Sequence, residues 1–180
     1  MRKEELVTKA LMVANSGIYK THYIMGGCGQ SLSDSEKNHF VKDYDWGKKH
    51  EKEIRALSAN TRAYDCVCFL KSLAFWNGPD KLDYNNSTDY TIAKLRDVCT
   101  DVSTDFNNIM IGECVFRDTA HVGIVVDVFT NGGIMVVEAN NSDEATYKVN
   151  GVYCSTYNCA IDGLPVRSWT HHGKLPGIKY

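Results

Sequence analysis

The apolar pattern of this chain changes from a helical to a strand-like period near Gly112, and this change most constrains its fold. Before Gly112, apolar residues recur at helical spacing from Leu6 to Ala14 and predict a first helix over residues 3–16. Further helices are predicted near residues 48–57 and over residues 64–76 and 89–99.

After Gly112 the chain is rich in Val, Ile and Phe, which favours strands. Strands are predicted over residues 113–117, 121–129, 134–139 and 146–154, with Asn131-Gly132-Gly133 as a hairpin turn. Helices followed by antiparallel strands predict an α+β domain in which N-terminal helices pack on an antiparallel sheet.

Composition narrows the class of protein. Of the 180 residues, 43% are apolar and 23% charged, which is typical of one globular domain and excludes disorder and a coiled-coil rod. Twenty basic and 22 acidic side chains give a formal charge of −2, so no basic surface favours a nucleic-acid partner.

Seven cysteines cannot all pair within one chain, which favours a reduced compartment or a free reactive thiol. Asp65 precedes Cys66 where the apolar helix is expected to start. A thiolate is stabilised at a helix N-terminus, and backbone N–H groups there can bind an oxyanion. The alternative, a cysteine that only packs in the core, stays open.

His121 opens an apolar strand, and a simple hairpin places Glu138 and Asn140 beside it at the end of the next strand. A carboxylate there can hold the imidazole in the tautomer that accepts a thiol proton. An ordinary surface histidine and a strand-terminating Glu138 are the simpler alternatives.

Five segments together resemble the NlpC/P60 superfamily of papain-like cell-wall hydrolases, in particular its single-domain endolysin-like branch from Gram-positive bacteria and their phages. In family order they are Tyr-Ile-Met-Gly-Gly at 23–27, the Asp-Cys segment at 61–71, His-Val-Gly-Ile-Val at 121–125, Val-Val-Glu-Ala at 136–139 and the aromatic C-terminal segment at 169–180. The resemblance implies a papain-like core over residues 1–180, with no separate wall-binding domain.

The resemblance also implies roles for individual residues. Cys66 is the expected nucleophile, His121 the base and Glu138 its orienting partner, while a Glu-x-Asn ending similar to that of CHAP amidases makes Asn140 a second orienting residue. The residues expected to bind substrate are Tyr23, whose hydroxyl could also stabilise the oxyanion, Gly27, Asp65, Trp169 and His172.

The implied function is a peptidoglycan hydrolase that cleaves an amide of the murein stem peptide by Cys-His-Glu catalysis. An N-acetylmuramoyl-L-alanine amidase with the same triad, and a non-catalytic wall-binding or phage-structural module, are the alternatives. The implied partner is bacterial peptidoglycan, and no cofactor or metal is expected: Cys66-x-Cys68 and the Cys154, Cys159 pair lack zinc-site spacing.

The chain departs from the family pattern in three places. Cys68 stands where the family usually has glycine, residues 28–61 form a longer insertion, and Met25 replaces a frequent aromatic residue. The other cysteines are expected to be unbonded packing residues, namely Cys28, Cys99, Cys114, Cys154 and Cys159.

Two acids before Leu6, together with Thr8 and Lys9, interrupt the N-terminal apolar stretch, so no signal peptide is expected. No window approaches the length of a membrane span, and no stable membrane insertion is expected. Cytoplasmic synthesis is therefore expected, with action on the wall after a separate release step, holin-dependent if the protein is phage-encoded.

Overall fold

The computed structural model describes residues 1–15, 17–144 and 147–180, with the side chains of 142–149 left undescribed. Its helices are α1 (Lys3–Ala14), α2 (Asp34–Asp43), α3 (Asp45–Lys49), α4 (Glu51–Ala56), α5 (Cys66–Phe75) and α6 (Ile92–Val98). Its strands are β1 (Thr21–Tyr23), β2 (Cys28–Ser31), β3 (Arg62–Tyr64), β4 (Thr100–Ser103), β5 (Cys114–Arg117), β6 (His121–Val128), β7 (Ile134–Glu144), β8 (Tyr147–Tyr157) and β9 (His171–Lys174).

The larger sheet has six strands in the order β4-β9-β5-β6-β7-β8, with antiparallel pairing throughout. Helices α1 and α5 pack on one face of it, against β6 and β7. Apolar side chains from both layers form the main core, including Leu6, Phe69, Val122 and Val137. The expected α+β architecture, helices on an antiparallel sheet, is therefore confirmed.

A smaller sheet, β1-β3-β2, leads into the N-terminus of α5. Strand β3 pairs parallel with β1 and antiparallel with β2, so Tyr64 lies opposite both Tyr23 and Cys28. The prediction that the helix begins at residue 64 is wrong. Because Tyr64 pairs in this sheet and Asp65 is extended (φ −100°, ψ 172°), the helix begins only at Cys66.

The segment 28–61 forms β2 and the helices α2, α3 and α4. Its apolar side chains close around a small core of their own that includes Leu32, Phe40 and Ile54. The single helix expected near residues 48–57 is two shorter helices that meet at His50. This segment therefore has a core of its own and packs beside α5 through β2.

Other predicted elements differ mainly at their ends. Helix α1 ends at Ala14, β7 extends beyond residue 139, and β8 continues to Tyr157. Ser16 and Thr146, at the ends of two predicted elements, lie outside the described residues. Among the residues that are described, no helix is long and apolar enough to cross a membrane.

Candidate active site

Asp65 fixes the N-terminus of α5, where Cys66 lies. One carboxylate oxygen accepts the backbone N–H of Cys68 at 2.7 Å, and the other accepts the backbone N–H of Gly26 at 2.9 Å. The Asp65 N–H in turn donates to the carbonyl of Gly27 at 2.8 Å. Asp65, expected to bind substrate, is therefore a buried N-cap that ties the glycine turn to the helix.

Cys66 is 7% exposed and belongs to the main core between the helices and the sheet. Burial raises its pKa to about 12 and the nearby Asp65 carboxylate acts in the same direction, whereas backbone N–H groups of Val67, Cys66 and Val122 oppose both effects. Desolvation therefore outweighs the N–H groups and favours the neutral thiol over the expected helix-stabilised thiolate. The sulfur nonetheless lies beside Val122, the residue next to His121.

His121 and Glu138 form a buried pair on neighbouring strands. The imidazole Nε2 lies 2.5 Å from Oε2 of Glu138, and the two side chains are 7% and 0% exposed. Burial raises the pKa of Glu138. The hydrogen bond and the electrostatic interaction with His121, together with Ser155 and Arg167, lower it by more than burial raises it, so the net pKa is below the ordinary value. An ionised carboxylate only accepts, so Nε2 carries the proton that faces it, and in the neutral imidazole Nδ1 is left as the acceptor.

Two more side chains contact the Glu138 carboxylate. The Asn140 amide donates to Oε2 at 3.4 Å, and Nε of Arg167 lies 3.5 Å from Oε1. Arg167 was not predicted from sequence. It follows Pro165 and Val166 in a segment without a strand-like or helical apolar pattern, so no local signal marks it.

Trp169 packs flat against His121. The two ring centroids are 5.6 Å apart with an interplanar angle of 13°. Gly123 makes room for this stack, because a Cβ there would lie 2.5 Å from Val136 and 3.3 Å from the indole. Trp169, expected to bind substrate, is 5% exposed and contacts the imidazole instead.

Tyr23 also lies beside the Cys66 thiol. Burial raises the pKa of its phenol above the usual range, and the neighbouring Cys66 and Asp65 add to that shift. The Trp46 ring from the segment 28–61 packs edge-on against Tyr23, with centroids 5.9 Å apart, and stacks on His50 at 3.8 Å. The segment 28–61 thus places the Trp46 ring against Tyr23, which in turn lies beside the Cys66 thiol.

The remaining predicted residues, Gly27 and His172, do not face open space. A Cβ at Gly27 would lie 2.6 Å from the backbone of Ala63, so this glycine permits close packing on β3. His172 is 4% exposed. Its Nδ1 bonds to Glu113 and its Nε2 lies 2.9 Å from the carbonyl of Asp105. His172 belongs to a second buried histidine–carboxylate contact, between β9 and the residue that precedes β5.

Cys28 and Cys68 form a disulfide, with Cα atoms 4.6 Å apart. The expectation that Cys28 is an unbonded packing residue is therefore wrong. The antiparallel pairing of β2 with β3 brings Cys28 to the first turn of α5, a contact between residues 40 positions apart that no local pattern predicts. Because Cys68 is bonded, Cys66 is the free thiol at this helix N-terminus.

The other cysteines are unbonded, as expected: Cys99, Cys114, Cys154 and Cys159. Cys99 and Cys114 are neighbours, with their sulfurs 3.5 Å apart, and burial raises the pKa of Cys114 well above its ordinary value. Within the described ranges, no group of three or more His, Cys, Asp or Glu side chains is placed to hold a metal ion.

Comparison with known proteins adds no relative: the chain matches no family model, no curated protein and no solved structure.

Proposed function

We propose that this protein is a cysteine peptidase or amidase of papain-like, NlpC/P60 type that acts on peptidoglycan. One observation carries the proposal: the buried His121–Glu138 pair lies on β6 and β7, the two neighbouring strands against which α5 packs. The only unbonded cysteine of that helix, Cys66, has its sulfur next to the backbone N–H of Val122. These contacts support the proposal because thiol-dependent acyl transfer needs a thiol and a base close together, and the Cys66 sulfur lies beside the residue that follows His121.

In the proposed reaction the thiol is deprotonated as it attacks, rather than beforehand, because its pKa is about 12. His121 accepts the proton at Nδ1 while Sγ of Cys66 bonds to the scissile carbonyl carbon. The resulting oxyanion is bound by the N–H groups of Cys66 and Val67, which have no acceptor within the helix by their position, and by the Tyr23 hydroxyl.

Breakdown of the tetrahedral intermediate breaks the C–N bond. The leaving amine takes the proton from His121, and a thioester remains on Cys66. Water, deprotonated by His121, then attacks the thioester and releases the acid and the free thiol. Glu138 stays ionised throughout and stabilises the imidazolium that forms in each half-reaction.

The substrate assignment follows from the sequence resemblance, and the stem-peptide amide at D-glutamate is the proposed bond. Digestion of purified Gram-positive cell walls, followed by mass spectrometry of the muropeptides, tests it. Wild type should release peptides with a new amino terminus after D-glutamate, whereas free lactyl groups on muramic acid would identify an amidase. Cleavage at neither bond would overturn the proposed substrate.

Matched variants test the chemistry. Cys66→Ala should abolish product formation, whereas Cys159→Ala, which removes a half-buried thiol elsewhere, should leave it unchanged. Equal loss in both variants, or full activity in Cys66→Ala, would contradict a role for Cys66 as nucleophile.

The burial of the thiol favours a second candidate, a non-catalytic wall-binding module with the same fold. Sedimentation with purified walls separates the two. If the protein is a binding module, the wild type and Cys66→Ala should co-sediment with walls to the same extent, and neither should release muropeptides.

A further inference from the structure

Residues 165–170, here called the crossing segment, lie across the His121–Glu138 pair. At one end the N–H of Arg167 donates to the carbonyl of Thr156 in β8 at 2.7 Å. At the other end the N–H of Thr170 donates to the carbonyl of Phe116 in β5 at 2.8 Å. Strands β6 and β7 lie between β5 and β8 in the sheet, so the crossing segment passes over the two strands that carry the pair.

Each member of the pair receives one side chain from the crossing segment. Trp169 stacks on the His121 ring at 5.6 Å, and Nε of Arg167 lies 3.5 Å from Oε1 of Glu138. The two residues that make these contacts, Arg167 and Trp169, are two positions apart in the chain. A single anchored segment therefore restrains both the ring plane of the base and the carboxylate that holds it.

Arg167 is itself held from β8. Its Nη2 donates to the Tyr153 hydroxyl at 2.7 Å, and Tyr153 is directly opposite Glu138 in the β7–β8 register. Arg167 is 8% exposed and Glu138 is fully buried. A guanidinium fixed in this way presents its positive charge to one oxygen of Glu138 and leaves the other oxygen for His121.

Among the side chains that the structure describes, the groups that face the Glu138 carboxylate come from four places: His121 on β6, Asn140 on β7, Tyr153 and Ser155 on β8, and Arg167 on the crossing segment. Of these, Arg167 is the one permanent cation. A fully buried carboxylate with no cation nearby would favour its neutral form, in which it could no longer stabilise an imidazolium.

We propose that Arg167 is a positioning residue that keeps Glu138 ionised and turned toward His121, and so maintains the base in its working tautomer. The inference rests on the proposed function for the use of the pair, but the state of Glu138 can be measured without any substrate. Arg167 does not touch the reacting atoms.

The test is an NMR titration of the Glu138 side-chain carboxyl carbon, assigned with Glu138→Gln. In Arg167→Met the titration of Glu138 should move upward by about one pH unit or more. In Arg167→Lys, which keeps the charge, Glu138 should titrate close to its wild-type value. Arg96→Met, which removes the same charge from α6, should leave Glu138 at its wild-type value.

An unchanged Glu138 titration in folded Arg167→Met would overturn the inference. If Arg167→Met fails to fold, Tyr153→Phe replaces it, because that change removes the hydroxyl that holds Nη2 and keeps the charge. A smaller upward shift is then expected, and an unchanged Glu138 titration in folded Tyr153→Phe would also overturn the inference.

Activity assays separate this inference from the proposed function. With wall substrate, the acid limb of the kcat profile should move upward in Arg167→Met by the same amount as the Glu138 titration, with little change in KM. If the wild type cleaves no wall but Arg167→Met still raises the Glu138 titration, only the proposed function is contradicted. If the wild type cleaves wall normally and the pH profile of kcat is unshifted in Arg167→Met, only the role of Arg167 is contradicted.

Discussion

Nε2 of His121 lies 2.5 Å from Oε2 of Glu138, although 17 positions separate the two residues in the chain. The β6–β7 hairpin produces this contact by pairing Gly123 with Glu138, which places the first residue of β6 beside the same carboxylate. Burial of both side chains excludes water, so the hydrogen bond defines the ring orientation and the tautomer of the histidine.

Glu138→Gln should lower the rate of wall cleavage by about a hundredfold or more, because a neutral amide cannot stabilise the imidazolium and can present its N–H to Nε2. Asn140→Ala should lower the rate much less, since its amide contacts the same oxygen only at 3.4 Å. The rates are measured by muropeptide release at fixed pH. Similar losses in both variants would contradict the central role given to Glu138.

The ionisation of Glu138 also predicts a pH dependence of stability. Its pKa is lower in the folded protein than its ordinary value of 4.5, so the folded state favours the ionised form. The resulting stabilisation is fully present above the unfolded pKa and disappears as the pH falls through the folded pKa.

Urea denaturation at several pH values should therefore show wild type losing stability relative to Glu138→Gln below about pH 4.5. A difference between the two proteins that stays constant from neutral pH down to pH 3 would contradict a lowered pKa for Glu138.

Cys66 should react slowly with iodoacetamide at neutral pH. Burial and the Asp65 carboxylate keep it in the thiol form, with a pKa of about 12. We expect alkylation about a hundredfold or more slower than for the same residue in urea-unfolded protein, because the thiolate is the reactive species. Peptide mass spectrometry resolves the site, and half-buried Cys159 serves as the internal comparison. Fast labelling of Cys66 near pH 7 would instead indicate a preformed thiolate.

The Cys28–Cys68 disulfide should stabilise the fold. It closes a loop of 40 positions and joins β2 to the first turn of α5. Its loss should cost about 2–4 kcal/mol, which for a chain of this size lowers Tm by roughly 5–15 °C. Thermal denaturation of Cys28→Ser and Cys68→Ser, with and without reductant, measures the effect.

Both serine variants should melt alike and be insensitive to reductant, whereas Cys159→Ser should keep the wild-type sensitivity. A wild-type Tm unaffected by reductant, with thiols counted before and after reduction, would contradict a stabilising disulfide.

Much of the fold was predictable from local patterns. Apolar spacing predicted α1, α5 and α6, and the Asn131-Gly132-Gly133 turn between Val- and Ile-rich runs predicted the β6–β7 hairpin. Strand β9 was missed because its residues, His171–Lys174, carry no apolar alternation and are held by pairing with β4 and β5.

The sequence by itself determined the helix that begins near Cys66, the strand that starts at His121 and the hairpin that returns Glu138 to it, because these depend on spacing along a short stretch of chain. Only the tertiary structure decided the state of these groups. Desolvation raises the pKa of the Cys66 thiol, and Arg167 and Trp169 reach the pair from a distant segment. Cys28 likewise reaches Cys68 through the pairing of β2 with β3. Burial and long-range contact are properties of the packed molecule, and no local pattern in the chain encodes them.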